Sequence, residues 1–324
     1  MEIINCESPF LDTKNSVAGV IYRKPNMPVN EFLDSASALS WTEDPINTVA
    51  VHNTAVTLRC AFDGSQHNSY PQWQQIRDPP LSTRIVSRGA NINTEECSTC
   101  SLSGDHGNGE FYLTINPVNV NTDEGLWECA AFGATPSTKS ATLTVLDQDP
   151  VCPNNNGNNK VINGTTVTLT CNLNKAAPPG ELVWMINGVD TNVKGNRPLQ
   201  WNKLVTRSNA NNRYNCRYSH GTLTQSRTCD NDFVFDVQYA PEVTIPSLKH
   251  VTEGETLSID CTVDSNPPTS SITWWKGNTE ISSSYQLRIS NIDKDESGRY
   301  VCKAKNQLFT GTQTETGTTT VEVQ

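Results

Sequence analysis

Residues 261–274 read CTVDSNPPTSSITW, so Trp274 follows Cys261 by thirteen residues, and Cys302 comes later in the chain. The same spacing between a cysteine and a tryptophan occurs in two earlier segments. The three sets are Cys60–Trp73–Cys129, Cys171–Trp184–Cys216 and Cys261–Trp274–Cys302. Because chance does not repeat such a set three times in register, the spacing indicates three consecutive copies of one structural unit.

This spacing is typical of a sandwich of two antiparallel β-sheets. In an immunoglobulin domain the first cysteine lies on strand B, the tryptophan on strand C and the second cysteine on strand F, and the indole packs against the disulfide that joins the sheets. The sequence therefore predicts an all-β chain of three tandem immunoglobulin-like β-sandwiches, arranged as a semi-rigid rod because the linkers are short. The predicted bounds are 1–40 for a non-immunoglobulin leader, 41–147 for the first domain, 148–240 for the second and 241–324 for the third.

The separation of the paired cysteines distinguishes the three domains by type. It is 69 residues in the first domain, which leaves room for the additional C′ and C″ strands of a variable-type (V) domain. It falls to 45 residues in the second domain and 41 in the third, which predicts a C2-type and an I/C2-type domain. Residues 77–109 of the first domain are rich in Ser, Asn, Asp, Gly and Pro, and we expect them to be largely exposed loop.

The charge of the chain argues against several classes of partner. There are 24 Lys and Arg residues against 34 Asp and Glu, for a net charge of −10. Nucleic acids and anionic membrane surfaces attract basic stripes, so neither is an expected partner. No run of about 18 apolar residues occurs, so the sequence predicts no transmembrane helix.

Eleven cysteines are typical of an extracellular protein, because the cytosol keeps thiols reduced. Six of them belong to the three predicted bridges between sheets. Cys152 and Cys229 flank the second domain and predict a fourth bridge, and Cys97 and Cys100 predict a small loop disulfide. A zinc site at that last pair would need a second pair of ligands, and a redox motif would need a βαβ unit; the sequence contains neither. Cys6 has no assigned partner.

The N-terminal segment conflicts with an extracellular location. Residues 1–40 carry charges throughout and lack the apolar core of a signal peptide. The stretch 17–32 resembles a strand and loop from the endonuclease domain of non-LTR retroelements, but it includes none of that domain's metal or catalytic positions. We expect no nuclease activity. We interpret residues 1–40 either as a disordered leader or as a fusion or gene-model artefact that replaced the signal peptide.

The start of strand F differs among the three domains. Tyr300 lies two residues before Cys302, where the hydroxyl of a tyrosine corner returns to upstream backbone. Tyr214 has the same place before Cys216. The first domain has Trp127 instead, which can only donate a hydrogen bond through its indole N–H. We expect structural roles for all three residues, and the bond geometry at Trp127 is left open.

The order of the domains resembles the ectodomains of immunoglobulin-superfamily cell-adhesion receptors, of the nephrin/Kirre-like or the nectin/cell-adhesion-molecule group. Residues 232–241, DFVFDVQYAP, are similar to the end of the second domain in those proteins. The resemblance covers residues 41–324. It implies that the membrane-distal domain binds a cell-surface protein of the same superfamily through its GFCC′C″ sheet, in a homophilic or heterophilic manner.

Candidate contact residues follow from the two-residue alternation of β-strands. Trp73 and Cys129 are expected to point into the core, so their neighbours on strands C and F point outward. The candidate partner-binding residues are Gln72, Gln74, Glu128, Ala130 and Phe132. Phe132 is a candidate apolar anchor of a protein interface; alternatively, it packs under the loop between strands F and G.

No pattern of reactive residues indicates catalysis. The five histidines are isolated, without metal-binding spacing or a neighbouring nucleophile pattern. We therefore predict no enzyme activity, cofactor, metal or small-molecule substrate. Asn163-Gly164-Thr165 is an N-glycosylation sequon in a polar segment, and Asn163 is predicted to carry a glycan.

The leading hypothesis is cell–cell adhesion or recognition by an extracellular protein, anchored in the plasma membrane through a segment that follows Gln324. The alternatives are a secreted immune-recognition or matrix protein and the ectodomain of a receptor kinase, and sequence downstream of Gln324 would distinguish them. A muscle-type intracellular array is disfavoured, because the extra pair Cys152 and Cys229 would not be oxidised in the cytosol.

Overall fold

The computed structural model describes residues 39–63, 70–79, 81–132, 136–153 and 159–324. Within these ranges every regular element is a β-strand or a short 3₁₀ turn, and the strands form three successive sandwiches. The predicted all-β class and tandem sandwiches are confirmed. None of the described elements is a helix of the length and apolarity that crossing a membrane requires. Cys6 and residues 1–38 of the predicted leader, 1–40, lie outside the described ranges.

The described part of the first sandwich has eleven strands. They are β1 (Trp41–Glu43), β2 (Thr48–Val51), β3 (Val56–Phe62), β4 (Tyr70–Ile76), β5 (Arg84–Ile85), β6 (Ser87–Arg88), β7 (Asn91–Ile92), β8 (Cys100–Ser103), β9 (Glu110–Ile115), β10 (Gly125–Phe132) and β11 (Ser137–Leu146). One sheet has the order β1-β3-β9-β8 and the other β2-β11-β10-β4-β5, while β6 and β7 form a small hairpin. Trp73 and the Cys60–Cys129 disulfide are buried together between the sheets.

The segment 77–109 contains more structure than its composition predicts. Most of its residues are exposed, but it contains β5 to β8, and the side chains of Arg84 and Cys97 are buried. The Arg84 guanidinium lies 2.8 Å from the Asp123 carboxylate in a buried ion pair. Cys97 is joined by a disulfide to Cys100, the first residue of β8. The polar residues of a segment predict loops, but they do not reveal which of them are paired inside.

The second sandwich is made by the next nine strands. They are β12 (Lys160–Ile162), β13 (Thr165–Cys171), β14 (Glu181–Ile186), β15 (Val189–Gly195), β16 (Leu199–Val205), β17 (Arg213–Ser219), β18 (Arg227–Thr228), β19 (Phe233–Val234) and β20 (Asp236–Thr244). β13 pairs with β16, and the facing sheet has the order β15-β14-β17-β18, with β19 also on β17. Trp184 is buried with the Cys171–Cys216 disulfide, and Cys152 and Cys229 form a further bridge beside them.

The third sandwich is formed by the eight strands that follow. Its strands are β21 (Leu248–Val251), β22 (Leu257–Asp260), β23 (Thr262–Asn266), β24 (Ser271–Lys276), β25 (Thr279–Ser282), β26 (Gln286–Ile289), β27 (Gly298–Leu308) and β28 (Gly311–Val323). The larger sheet has the order β21-β28-β27-β24-β25, and β22 pairs with β26. Trp274 is buried in the core together with the Cys261–Cys302 disulfide.

The first two domains are in direct contact. Val49 and Leu146 of the first domain are part of the hydrophobic core of the second. The Val49 N–H donates to the Thr222 hydroxyl at 2.8 Å, and the Lys175 ammonium lies 2.9 Å from the Glu124 carboxylate. These contacts, added to a short linker, favour a stiff joint.

The second and third domains share a strand. β20 pairs in parallel with β12 of the second domain and antiparallel with β23 of the third, so it continues without a break through the predicted boundary at 240. Across this joint the Arg207 guanidinium lies 2.7 Å from the Glu242 carboxylate and stacks 3.9 Å from the centre of the Tyr239 ring. The hydrogen bond to Glu242 raises the pKa of Arg207, which stays charged.

The corners at strand F form the same hydrogen bond in two of the domains. The Tyr300 hydroxyl donates to the Glu296 carbonyl at 2.7 Å, and the Trp127 indole N–H donates to the Asp123 carbonyl at 2.8 Å. Each acceptor lies four residues upstream of its donor. Burial, reinforced by the negative charge of Glu296, raises the pKa of Tyr300 to about 12.

Candidate functional site

The candidate contact residues lie on the five-stranded sheet of the first domain. Antiparallel register places Gln74 opposite Glu128 and Gln72 opposite Ala130. The intervening Trp73 is buried, so alternate residues of β4 and β10 point away from the core. We call this surface the outer face, and its residues on β4 and β10 are Gln72, Gln74, Ile76, Leu126, Glu128, Ala130 and Phe132.

A ladder of polar side chains crosses the centre of the outer face. The Gln72 amide donates to the Gln74 side-chain oxygen at 2.7 Å, and the Gln74 amide donates to the Glu128 carboxylate at 2.8 Å. All three residues are half-buried. The ladder holds the two amides in fixed orientations, so less side-chain conformational entropy is lost when a partner binds. The carboxylate of Glu128 retains further acceptor capacity.

Two apolar side chains flank the ladder on strand β10. Phe132 is 43% exposed and Leu126 is 38% exposed. They are six residues apart on one strand, which separates them by about 20 Å. Leu126 was not among the predicted contacts, although the alternation that selects Glu128 selects it equally. The outer face thus combines a polar centre with two apolar ends.

Ala130, a predicted contact residue, is not exposed: its side chain is 0% accessible. It lies on the outer side of the sheet, but its methyl group is short. The residues directly opposite, Gln72 and Thr138, carry longer side chains. Ala130 thus lies on the predicted side of the sheet but is covered, because alternation determines the side of a sheet and neighbouring side chains determine the exposure. Its role as a contact residue stays a prediction.

The potential metal ligands of the described residues do not form a metal site. One group of His, Cys, Asp or Glu side chains in these ranges is close enough to hold an ion, and it consists of Cys152, Cys171 and Cys229. All three are in disulfides, so none offers a thiolate ligand. The outer face offers hydrogen-bonding and apolar groups, which are suited to contact with the surface of another protein.

The sequon at Asn163 lies in an exposed turn between β12 and β13. Gly164 has a φ of +84°, a conformation that suits glycine in such a turn. The Asn163 side-chain oxygen accepts a hydrogen bond from the backbone N–H of Arg207 at 3.1 Å, and Thr165 is exposed. The site is accessible, and its glycosylation stays a prediction.

Part of the chain matches a known protein family. A family model described as "Immunoglobulin domain" matches residues 240–306. This segment, which contains most of the third sandwich, is therefore similar to that family. Cell adhesion molecule 2 of Xenopus tropicalis is 25% identical over 285 residues, which cover 81% of this chain and 63% of that protein. Kin of IRRE-like protein 2 of Homo sapiens is 30% identical over 196 residues, 56% of this chain and 27% of that protein.

Among solved structures, three consecutive immunoglobulin domains of titin align over 88% of this chain and 98% of their own, with a TM-score of 0.48 and 16% identity. The predicted resemblance to immunoglobulin-superfamily adhesion proteins is confirmed by the curated relatives, which are cell adhesion molecules. This chain spans less than two thirds of the length of those relatives.

Proposed function

We propose that the chain acts in cell–cell recognition by binding another protein through the outer face of its first immunoglobulin domain. The observation that carries the proposal is Phe132, whose ring is exposed at the end of β10 beside the ordered ladder of Gln74 and Glu128. Aromatic anchors surrounded by polar contacts dominate the energetics of protein interfaces. The curated relatives are named as cell adhesion molecules, which supports this role.

The partner that fits this face is a cell-surface protein of the immunoglobulin superfamily, either a second copy of the chain or a different member. The five disulfides among the described residues support an extracellular location, because such bonds persist in oxidising compartments. Attachment to the plasma membrane is part of the same proposal. We infer that the molecule functions by binding another protein, without a catalytic step.

The test is aggregation of beads or cells that display the whole chain, with the variants Phe132→Asp and Gln74→Asp. A charge at the anchor position is expected to weaken aggregation by at least about tenfold, since hot-spot residues contribute about 2 kcal/mol or more. Phe309→Asp is the matched control, because Phe309 is equally large and 52% exposed but lies in the third domain.

Folding of each variant is checked by circular dichroism and hydrogen exchange. Unchanged aggregation by folded Phe132→Asp and Gln74→Asp would exclude the outer face. If the native chain does not aggregate with itself but binds cells that express a second surface protein, binding is heterophilic, and the same variants then test the same face.

A further inference from the structure

The central strand of the third domain carries a row of cations on its outer side. Tyr300, Cys302 and Ala304 of β27 are fully buried, so the alternate residues point away from the core. The outward residues are Arg299, Val301, Lys303, Lys305 and Gln307. We call Arg299, Lys303 and Lys305 the basic row.

Hydroxyl groups line one side of the basic row. Strand β28 is in antiparallel register, and the residues opposite Lys305, Lys303, Val301 and Arg299 are Thr314, Thr316, Thr318 and Thr320. The Arg299 guanidinium donates to the Thr318 hydroxyl at 3.2 Å. On the other side, the Lys303 ammonium lies 3.9 Å from the centre of the Trp275 ring. The cations therefore lie on one face of the sheet, among hydroxyl groups that can donate hydrogen bonds.

The basic row is not neutralised by carboxylates of its own domain. Across the described ranges, Arg299, Lys303 and Lys305 take part in none of the ion pairs. The carboxylates on this side of the sheet lie toward its margins, where Glu280 is opposite Trp275 and Glu322 pairs with His250 at 3.2 Å. The basic row is therefore a positively charged patch on a chain whose net charge is −10.

We propose that the basic row binds a sulfated polysaccharide. Lys303 and Lys305 are about 7 Å apart along the strand, and the row from Arg299 to Lys305 spans about 20 Å. A linear chain with sulfate groups along its length matches this arrangement. Each sulfate accepts charge-assisted hydrogen bonds from a guanidinium or ammonium group and further bonds from threonine hydroxyls. The site lies in a different domain from the outer face and functions independently of it.

An acidic protein fits this surface less well than a polysaccharide. Protein interfaces depend on apolar and aromatic anchors at their centre. The exposed large apolar side chains of this domain lie on edge strands or in turns, and they are Leu248, Ile281, Tyr285 and Phe309. Trp275 is half-buried, and Lys303 covers its ring. The surface thus offers charge and hydroxyls without an exposed anchor.

The experiment measures binding of the whole chain to a heparin-derived octasaccharide at several salt concentrations. The variant Arg299→Gln/Lys303→Gln/Lys305→Gln removes the basic row. The matched control Lys249→Gln/Arg288→Gln/Lys294→Gln removes the same charge from other surfaces of the same domain. We expect the first variant to lose at least about tenfold in affinity and to show a weaker salt dependence, because fewer counterions are released on binding. The control should change by less than about threefold.

The remaining outcomes overturn the proposal. Equal losses in both variants would mean non-specific attraction to any cation on the domain. No binding by the native chain at about 0.15 M salt, where exposed charges are screened beyond about 8 Å, would exclude the site. Equal affinity for polyglutamate would indicate an acidic protein as the ligand. Hydrogen exchange on β27 shows that each variant is folded, so a loss of binding is not a loss of structure.

Discussion

The corners of the first and third domains form one hydrogen bond with two different donors. In the first domain the indole of Trp127 reaches the carbonyl of Asp123, and in the third the hydroxyl of Tyr300 reaches the carbonyl of Glu296. The donor–acceptor distances are 2.8 and 2.7 Å. The fold therefore requires a donor at this position that meets a carbonyl four residues upstream, and a tyrosine is one solution among others.

The acidic residues of the two corners differ in their partners. The Asp123 carboxylate accepts from the Asn119 N–H at 2.8 Å and from Arg84 at the same distance, both inside the first domain. The Glu296 carboxylate accepts from the nearby Asp293 N–H at 2.9 Å, at the surface of the third domain. The first corner thus depends on a residue distant in sequence, and the third depends on local contacts and an ionisable hydroxyl.

The largest expected effect comes from breaking the ion pair behind the first corner. Arg84→Met leaves the Asp123 carboxylate buried without its cation, which should cost about 3–5 kcal/mol of stability. Hydrogen exchange on peptides from each domain measures this loss, which should be confined to the first domain. Lys139→Met is the control, because its pair with Asp44 is exposed and contributes about 1 kcal/mol or less. Similar losses in both variants would show that the buried pair has no special role.

Alkaline pH should affect the third corner and leave the first one intact. The pKa of Tyr300 is about 12 in the folded chain, against about 10 for a free tyrosine. Because the folded value is raised, the contribution of the neutral hydroxyl is complete below pH about 10 and is lost as the pH rises through about 12. The loss is on the order of 3 kcal/mol. Trp127 does not ionise, so the first corner has no equivalent loss.

Urea unfolding of the native chain and of Tyr300→Phe between pH of about 9 and 12 measures this difference. The variant should lose less stability over that window than the native chain does. Parallel curves for the two proteins would contradict the assignment of the alkaline loss to Tyr300.

The smallest effect should come from the second domain. Tyr300→Phe removes a made hydrogen bond and should cost about 1 kcal/mol. Among the described residues, the buried hydroxyl of Tyr214 has no hydrogen-bond partner of ordinary geometry; burial raises its pKa, and Asn212 offsets this only in part. Tyr214→Phe should therefore cost less stability than Tyr300→Phe, because no hydrogen bond of ordinary geometry is lost with its hydroxyl. Equal costs in a denaturant titration would mean that the Tyr214 hydroxyl is bonded in solution.

The sequence predicts the parts of this molecule that follow from spacing and alternation. The cysteine and tryptophan positions predict the sandwiches, because the indole and the disulfide must meet in one core. Alternation places Gln74 and Glu128 on the same side of the sheet, but it could not reveal that Ala130 is covered, since that depends on longer neighbours across two strands. It also could not reveal the burial of Arg84, whose partner is 39 residues away.

The strand from Asp236 to Thr244 has a mechanical consequence for the molecule. It pairs with the second domain over residues 236–238 and with the third at residue 239 and over residues 242–244, with a register shift between Tyr239 and Glu242. No length of free chain lies between the two bonded parts. Tension along the chain is therefore passed from one domain to the next through a single strand, and beyond the straightening of the irregular residues 240–241 any extension of this joint requires rupture of sheet hydrogen bonds.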